Sequence, residues 1–308
     1  MTSLTIRHVT TYRYRHPVAF GEHRMMLRPR DSHDQKVTEA RLGIRPQPSS
    51  LRFDEDAFGN HVAIAHFAER SAELSFESIV SLELSPSAAA SLDLAEDART
   101  FPVRYHTSDM LELASCLQPL HPDPDGEVGR WARQFVPDGE AATESIGTLE
   151  LLTRLSRAIH RGFRYRRREA KGIQPPLETL RLGHGSCRDF ALLMIEAARS
   201  LGLAARFASG YLAIPSDGAP SDAASEPAGA VAVDTPHGAT HAWAQIFLPG
   251  AGWVDFDPTC GSVGKTALVT VAVVPDPYDA TPLHGTFIGS ASDPLGMEVH
   301  VSVTSGGA

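Results

Sequence analysis

The chain has 308 residues, a formal net charge of −9 and 42% apolar residues. This length allows one large domain or two ordinary ones, and the apolar share is sufficient for a buried core. The acidic balance gives no reason to expect nucleic acid as a partner, and no apolar run approaches the ~18 residues of a membrane-spanning helix, so no membrane partner is predicted.

The cysteines are few and widely spaced: Cys116, Cys187 and Cys260. An odd number at such spacing is not a disulfide framework. The first residues hold no long apolar segment of the kind found in a secretory signal. A cytoplasmic location, where a thiol stays reduced, is therefore predicted. The sequence makes no prediction of the oligomeric state.

The first part of the chain has the pattern of a β-rich domain. Alternating apolar and polar residues, separated by turns with Pro and Gly, predict strands at 4–14, 62–67 and 74–84. Residues 85–105 have the composition of a connector. We therefore predict a small β-rich domain over residues 1–100 and a second domain over residues 101–308.

Helices are predicted early in the second domain. Apolar spacing indicates helices near 110–114, 128–135 and 143–161, and then a brief strand at 163–165. The clearest helical pattern follows Cys187 and runs to Leu201, after which Gly202 supplies a C-terminal stop. The basic stretch at 161–168 is interpreted as a solvated edge, or as a rim that recruits acidic substrate groups.

Strands are predicted to resume after this helix. They are expected at 203–212, 242–248 and 253–256, with a turn at 249–252 that joins the last two into a hairpin. Between them, residues 215–240 are rich in Ala, Ser, Pro and Gly and are predicted to form a surface loop.

Cys187 stands at the predicted start of the clearest helix. The free N–H groups and the positive dipole end of a helix N-terminus favour a thiolate at that position. The same N–H groups are suited to hold the oxyanion of a tetrahedral intermediate. The residue is therefore a candidate nucleophile, against the alternative of an inert buried thiol.

A base and an orienting carboxylate follow along the chain. His241 comes after the predicted loop and at the start of a strand, where side chains often face a cleft. On the partner strand of the hairpin, Asp255 and Asp257 are both candidates to orient the imidazole. Because side chains alternate along a strand, these two carboxylates face the same way, and alternation alone leaves the choice open.

The segments around these residues resemble a known family. G-S-C-R-D-F-A around Cys187, T-H-A-W-A-Q around His241 and G-W-V-D-F-D-P-T around Asp257 resemble the core motifs of the transglutaminase-like superfamily, and of its bacterial transglutaminase-like proteins in particular. The stretches H-V-T-T-Y-R-Y, L-R-P-R and F-G-N in the first 60 residues resemble the small β-rich domain that precedes this core.

The resemblance implies an α+β fold: a papain-like transglutaminase core with the Cys on a helix N-terminus, packed on an antiparallel sheet that carries His and Asp, after a small β-rich N-terminal domain. It assigns catalytic roles to Cys187, His241 and Asp257. The chain also departs from the family, since Cys260 stands where Asn is common after Pro-Thr. A second oxyanion donor stays unassigned, and no cofactor, metal or calcium loop is predicted.

The predicted function is cysteine-dependent acyl transfer on a carboxamide or peptide bond, through a thioester acyl-enzyme. Water would resolve the thioester in a protease or amidase, and an amine would resolve it in a transglutaminase. The predicted partner is a peptide or protein substrate. One alternative is a catalytically inactive binding module with the same fold. Another is a zinc site built from His184-x-x-Cys187, Asp257-x-x-Cys260 and His241.

Overall fold

The computed structural model describes residues 2–85, 87–88, 92–137, 146–166, 172–213, 239–265 and 267–305. The predicted loop at 215–240 lies outside the described residues, apart from its last two positions, which begin a strand. Residues 167 and 168 of the basic stretch lie outside them as well.

Among the described residues, the α-helices lie between Glu96 and Ser200, and most of the strands lie before and after this part of the chain. The strands are β1 (Thr2–Met25), β2 (Gln35–Arg45), β3 (Ser50–Glu55), β4 (His61–His66), β5 (Ser71–Leu84), β6 (Ser87–Ala88), β7 (Arg164–Tyr165), β8 (His184–Gly185), β9 (Ala205–Leu212), β10 (Ala239–Leu248), β11 (Gly252–Asp257), β12 (Ser262–Lys265), β13 (Leu268–Val274), β14 (Leu283–Ile288) and β15 (Pro294–Ser305). The α-helices are α1 (Glu96–Arg99), α2 (Thr107–Glu112), α3 (Ala114–Leu117), α4 (Glu127–Arg133), α5 (Thr148–Gly162), α6 (Pro176–Leu182) and α7 (Cys187–Ser200). A 3-10 helix covers Pro277–Ala280.

The long strand β1 organises the N-terminal sheet. The strand order is β2-β5-β1-β4-β3, and β14 and β15 also pair with β1. The first half of β1 lies between β5 and β15, and its second half pairs with β4 and β14. Alternate residues of the first half, such as Leu4 and Ile6, are buried, as a strand with one face on a core requires. The strands predicted at 4–14, 62–67 and 74–84 are confirmed.

The two last strands return to this first sheet. Leu4 pairs with Ser305 through β15, and Met25 pairs with Leu283 through β14. The prediction from sequence places these strands with the second domain, whereas they complete the sheet of the first. They cover backbone groups of β1 that would otherwise form an open edge, and a local sequence pattern does not specify which distant strand does so. The predicted boundary near residue 100 stays a prediction.

The second sheet is antiparallel, with the order β13-β9-β10-β11-β12-β6. Helix α7 packs against its strands β9 and β10 and is buried almost all round, since Leu192 and Ile195 are as inaccessible as the predicted apolar face. The helix ends before Gly202, which has a φ of 79° and so provides the left-handed residue of the predicted stop. Within the described residues, no helix combines the length and apolarity needed to cross a bilayer.

The N-terminal sheet is docked onto the outer edge of β13 by two side-chain amides. Gln35 donates from Nε2 to the Thr270 carbonyl and accepts from the Thr270 N–H, both at 2.9 Å. Asn60 makes the same pair of bonds with Val273, also at 2.9 Å. Because these amides satisfy backbone groups of an edge strand, they fix how the first sheet sits on the second.

Candidate active site

The N-terminus of α7 is held by a reciprocal capping arrangement. Asp189 accepts hydrogen bonds from the backbone N–H and the hydroxyl of Ser186, each at 2.8 Å, while the Ser186 side chain caps the Asp189 N–H. The other Asp189 oxygen accepts from the Gln174 N–H at 2.7 Å. The fully buried carboxylate thereby fixes the helix start, and with it the backbone of Cys187, whose side chain is partly exposed.

His241 and Asp257 form a buried pair across the β10–β11 hairpin. His241 Nε2 lies 2.8 Å from Asp257 Oδ2, and the other carboxylate oxygen accepts from the Thr259 N–H at 2.9 Å. Both side chains are almost inaccessible to solvent. The hydrogen bond from the backbone fixes the orientation of the carboxylate, and the carboxylate in turn fixes that of the imidazole.

Electrostatics favours the charged forms of this pair. Burial lowers the pKa of His241, but the Asp257 carboxylate and, to a smaller extent, a hydrogen bond with Cys187 outweigh burial and raise this pKa to about 10. Burial raises the pKa of Asp257, but His241 and the Thr259 N–H outweigh it, so this pKa lies below its ordinary value. An imidazolium and a carboxylate therefore coexist at neutral pH.

The strand register separates the two candidate carboxylates. Gln245 lies opposite Asp255 in the hairpin, so Asp257 falls two residues nearer to His241, a shift of roughly 7 Å along the sheet. Asp255 instead accepts hydrogen bonds from the indole N–H of Trp243 and from Gln245 Nε2, the latter at 2.8 Å. The carboxylate at position 257 thus contacts the imidazole, and the one at position 255 holds the neighbouring tryptophan.

Cys187 and His241 open onto one small cavity of about 70 Å³. The cavity is lined by His8, Met26, Cys187, Arg188, Ser209, Gly210, Tyr211, Thr240, His241, Val271 and Pro282. Cys187 is among the groups that raise the pKa of His241, so the thiol and the imidazole lie near each other at this cavity. The structure therefore brings the three predicted site residues together, in the chain order thiol, imidazole and carboxylate.

The N-terminal sheet supplies part of the cavity wall. His8 Nδ1 lies 2.9 Å from the Tyr211 hydroxyl, and His8 Nε2 lies 3.0 Å from the Thr10 hydroxyl. Burial lowers the pKa of His8 to about 4 and raises the pKa of Tyr211, so both groups are neutral at pH 7. His8 and Tyr211 are not among the predicted site residues, because no local motif marks a contact between residues so far apart in the chain.

Cys260 lies beside the carboxylate of the buried pair. Partial desolvation of its sulfur, together with the Asp257 charge, raises the pKa of the Cys260 thiol to about 12. One ligand atom from each of His241, Asp257 and Cys260 lies within 4.8 Å of the others. Of the five residues in the zinc hypothesis, these three are therefore close enough to share an ion, and His184 and Cys187 are not in the group.

Two family models match the chain. The bacterial transglutaminase-like N-terminal region matches residues 4–83, and the transglutaminase-like superfamily core matches residues 134–258, which ends at the residue after Asp257. The chain belongs to the transglutaminase-like superfamily. Its architecture is the α+β fold expected of that family, with a β-rich domain before a core in which α7 packs on an antiparallel sheet.

One relative extends the likeness over almost all of this transglutaminase-like chain, and another matches part of it. A protein of Mycobacterium tuberculosis H37Rv, described as uncharacterized, is 29% identical over 309 residues, covering 97% of this chain and 91% of the relative. One from Mycobacterium leprae, also described as uncharacterized, is 32% identical over 126 residues, or 41% of this chain and 40% of the relative.

A solved structure supports the fold. The crystal structure of a Cytophaga hutchinsonii protein, described provisionally as a cysteine protease, superposes with a TM-score of 0.70. It covers 99% of this chain and 90% of its own, at 18% identity. At that identity, the superposition establishes the shared transglutaminase-like fold across both sheets.

Proposed function

We propose that this transglutaminase-like protein is a cysteine-dependent acyl-transfer enzyme that acts on a carboxamide or peptide bond. The observation that carries the proposal is the position of the His241 imidazole, which contacts the Asp257 carboxylate at 2.8 Å and lines the same cavity as Cys187. A thiol paired with an oriented imidazolium is the arrangement that activates a cysteine nucleophile.

The first half-reaction forms a thioester. The Cys187 thiolate attacks the substrate carbonyl, and a carbon–sulfur bond forms while the carbonyl electrons move onto oxygen. The Cys187 and Arg188 N–H groups, which precede the capped Asp189 N–H at the start of α7, would stabilise that oxyanion. His241 gives its proton to the leaving nitrogen, the carbon–nitrogen bond breaks, and ammonia or an amine departs.

The second half-reaction releases the acyl group. Water or a second amine enters, and neutral His241 takes its proton as the new bond to carbon forms. The carbon–sulfur bond then breaks and Cys187 leaves as a thiolate. Water as the acceptor defines a protease or amidase, and an amine defines a transglutaminase. Asp257 keeps one imidazole orientation through both halves and stays ionised.

Trapping the acyl-enzyme tests this proposal. We expect intact-protein mass spectrometry, after mixing with peptide amides and quenching with acid, to show an adduct whose fragmentation maps to Cys187. A Cys187→Ala variant should lose both the adduct and all turnover, whereas a Cys116→Ala variant should keep them, since Cys116 is buried away from the cavity. Turnover by Cys187→Ala would refute the proposal.

The same experiment separates the acceptors and the rival functions. Adding a fluorescent primary amine should label the released acyl group if the enzyme transamidates, and only the free acid should appear if it hydrolyses. A binding module would give no adduct, and its Cys187 would react with iodoacetamide no faster than Cys116. Stoichiometric zinc that is lost in Cys260→Ser would favour the metal site, whose ligand atoms lie within 4.8 Å of one another.

A further inference from the structure

Arg188 is a second charged group at the cavity that carries Cys187. It follows Cys187 on α7 and lines the same cavity as His241. Its guanidinium donates from Nη2 to the Pro277 carbonyl at 3.0 Å and lies over the Phe207 ring, 5.1 Å from the centroid. Burial lowers the pKa of Arg188, which identifies a cation withdrawn from water.

The described residues leave this cation without a carboxylate partner of its own. None of the ion pairs among them includes Arg188. Cys187 and, less strongly, Asp189 attract the guanidinium, but the Asp189 oxygens already accept hydrogen bonds from Ser186 and Gln174. A guanidinium has five N–H donors, and the Pro277 carbonyl is the acceptor found for them in the described part of the chain.

The lining of the cavity has the charge to accept an anion. Among the described residues that line it, Arg188 and His241 are cationic at neutral pH, and none is Asp or Glu. The His241 charge is balanced from behind by Asp257. In the free protein the Cys187 thiolate also attracts the Arg188 guanidinium. Once Cys187 is acylated it is neutral, and the partly buried guanidinium is then stabilised most by a hydrogen-bonded anion.

We propose that Arg188 binds a carboxylate of the acyl donor next to the carbonyl that Cys187 attacks. The substrates are then amides or peptides with an acidic group beside the reacting bond. This inference rests on the proposed function and deepens it by naming a substrate class. The carboxylate belongs to an acidic side chain or to a free C-terminus, and both sources present the same planar group to the guanidinium.

Alkylation of Cys187 by a matched pair of reagents tests the inference. Iodoacetate and iodoacetamide react alike: the carbon–sulfur bond forms, the carbon–iodine bond breaks and iodide leaves. They differ in that iodoacetate carries a carboxylate and iodoacetamide carries a carboxamide. Mass spectrometry of the Cys187 peptide gives the rate of alkylation by each reagent. We expect the ratio of the iodoacetate rate to the iodoacetamide rate to be roughly tenfold higher at Cys187 than for free cysteine, the effect of one charge-assisted hydrogen bond.

The variants Arg188→Gln and Arg188→Lys separate the possible roles of the charge. With Arg188→Gln we expect the ratio of the two rates to fall to that of free cysteine, while the iodoacetamide rate stays within about threefold of wild type. With Arg188→Lys we expect a ratio between that of free cysteine and that of wild type. A wild-type ratio equal to that of free cysteine would overturn the inference. So would an equal loss of both rates in Arg188→Gln, which would make Arg188 a counter-ion of the thiolate.

This readout is independent of turnover. If the proposed function fails, no acyl-enzyme forms on Cys187, yet the alkylation ratio still reports on Arg188. Circular dichroism and thermal melting check that each variant is folded. Because Arg188→Lys keeps the charge, it preserves the test if Arg188→Gln does not fold.

Short peptides then identify the source of the carboxylate. Acetyl-alanyl-aspartyl amide presents an acidic side chain, acetyl-alanyl-alanine a terminal carboxylate, and acetyl-alanyl-asparaginyl amide neither. We expect one of the two acids to slow the iodoacetamide reaction of Cys187 at least tenfold more than the asparaginyl peptide, and the protecting acid names the source. Equal effects of all three peptides would overturn the assignment of a carboxylate.

Discussion

Two regions meet at the cavity, and they differ in how their residues are brought there. His241 and Asp257 are 16 residues apart on one hairpin, whereas His8 and Tyr211 are 203 residues apart and belong to different sheets. The first region holds a charged pair whose imidazole lines the cavity with the thiol, and the second holds neutral groups that shape the wall. Reactivity is thus expected to depend on the hairpin, and the form of the cavity on the docking of the N-terminal sheet.

The largest expected effect concerns the two carboxylates of the hairpin, which should not be interchangeable. Asp257→Asn should lower turnover by about 10² to 10⁴-fold, because the imidazole loses the partner that orients it and stabilises its charge. Asp255→Asn is the matched control on the same strand. It should lower turnover less than about tenfold and reduce the unfolding free energy by ~1–3 kcal/mol, since it weakens bonds to Trp243 and Gln245.

Both variants are checked by the rate of amide turnover and by urea unfolding. If Asp255→Asn abolished activity while Asp257→Asn retained it, the roles assigned from the 2.8 Å contact between His241 and Asp257 would be reversed.

The two regions should also lose stability at opposite ends of the pH range. The pKa of His8 falls to about 4 in the folded protein, so its contribution to stability is present above pH 6.5 and is lost as the pH drops toward 4. The pKa of His241 rises to about 10, so its contribution is present below pH 6.5 and is lost as the pH rises toward 10. Each limb should amount to ~1–3 kcal/mol of unfolding free energy.

Unfolding free energies measured from pH 4 to pH 10 check this prediction. His8→Asn should flatten the acid limb, and Asp257→Asn should flatten the alkaline limb, because each removes the cause of one pKa shift. A profile in which either variant flattened both limbs would show that the two regions titrate as one unit.

The smallest expected effect concerns the contact between the two sheets. A double-mutant cycle of His8→Asn and Tyr211→Phe should give a coupling free energy of ~1 kcal/mol, the value of one buried hydrogen bond. Turnover should change less than about tenfold in Tyr211→Phe, since its hydroxyl shapes the wall and exchanges no proton with the substrate. A loss as large as that of Asp257→Asn would place Tyr211 among the reacting groups.

The sequence specified the local parts of this structure and left the distant contacts open. Periodicity gave α7 and its stop at Gly202, because burial on one face repeats every few residues. The capping box could also have been read from Ser186 and Asp189, which are three residues apart. Alternation left Asp255 and Asp257 undecided, because hairpin register depends on where the turn begins. The resemblance to the family selected Asp257, and the structure places that residue at the imidazole.

Contacts between residues far apart in the chain could not be predicted in this way. The contact of His8 with Tyr211, the amides of Gln35 and Asn60 on β13, and the return of β15 to β1 each depend on packing between distant elements. Such contacts carry no local signature, since the residues next to each partner in the chain do not indicate the other partner.

The pairing of β1 with β15 also has a consequence for the order of folding. His8 lies on the part of β1 that pairs with Val301, so this stretch of strand obtains its second neighbour only after the chain has been synthesised as far as β15. Helix α7 and the β10–β11 hairpin emerge earlier and close shorter loops, which favours their rapid assembly. During biosynthesis, the thiol and its imidazole would therefore be in place before the wall beside them is sealed.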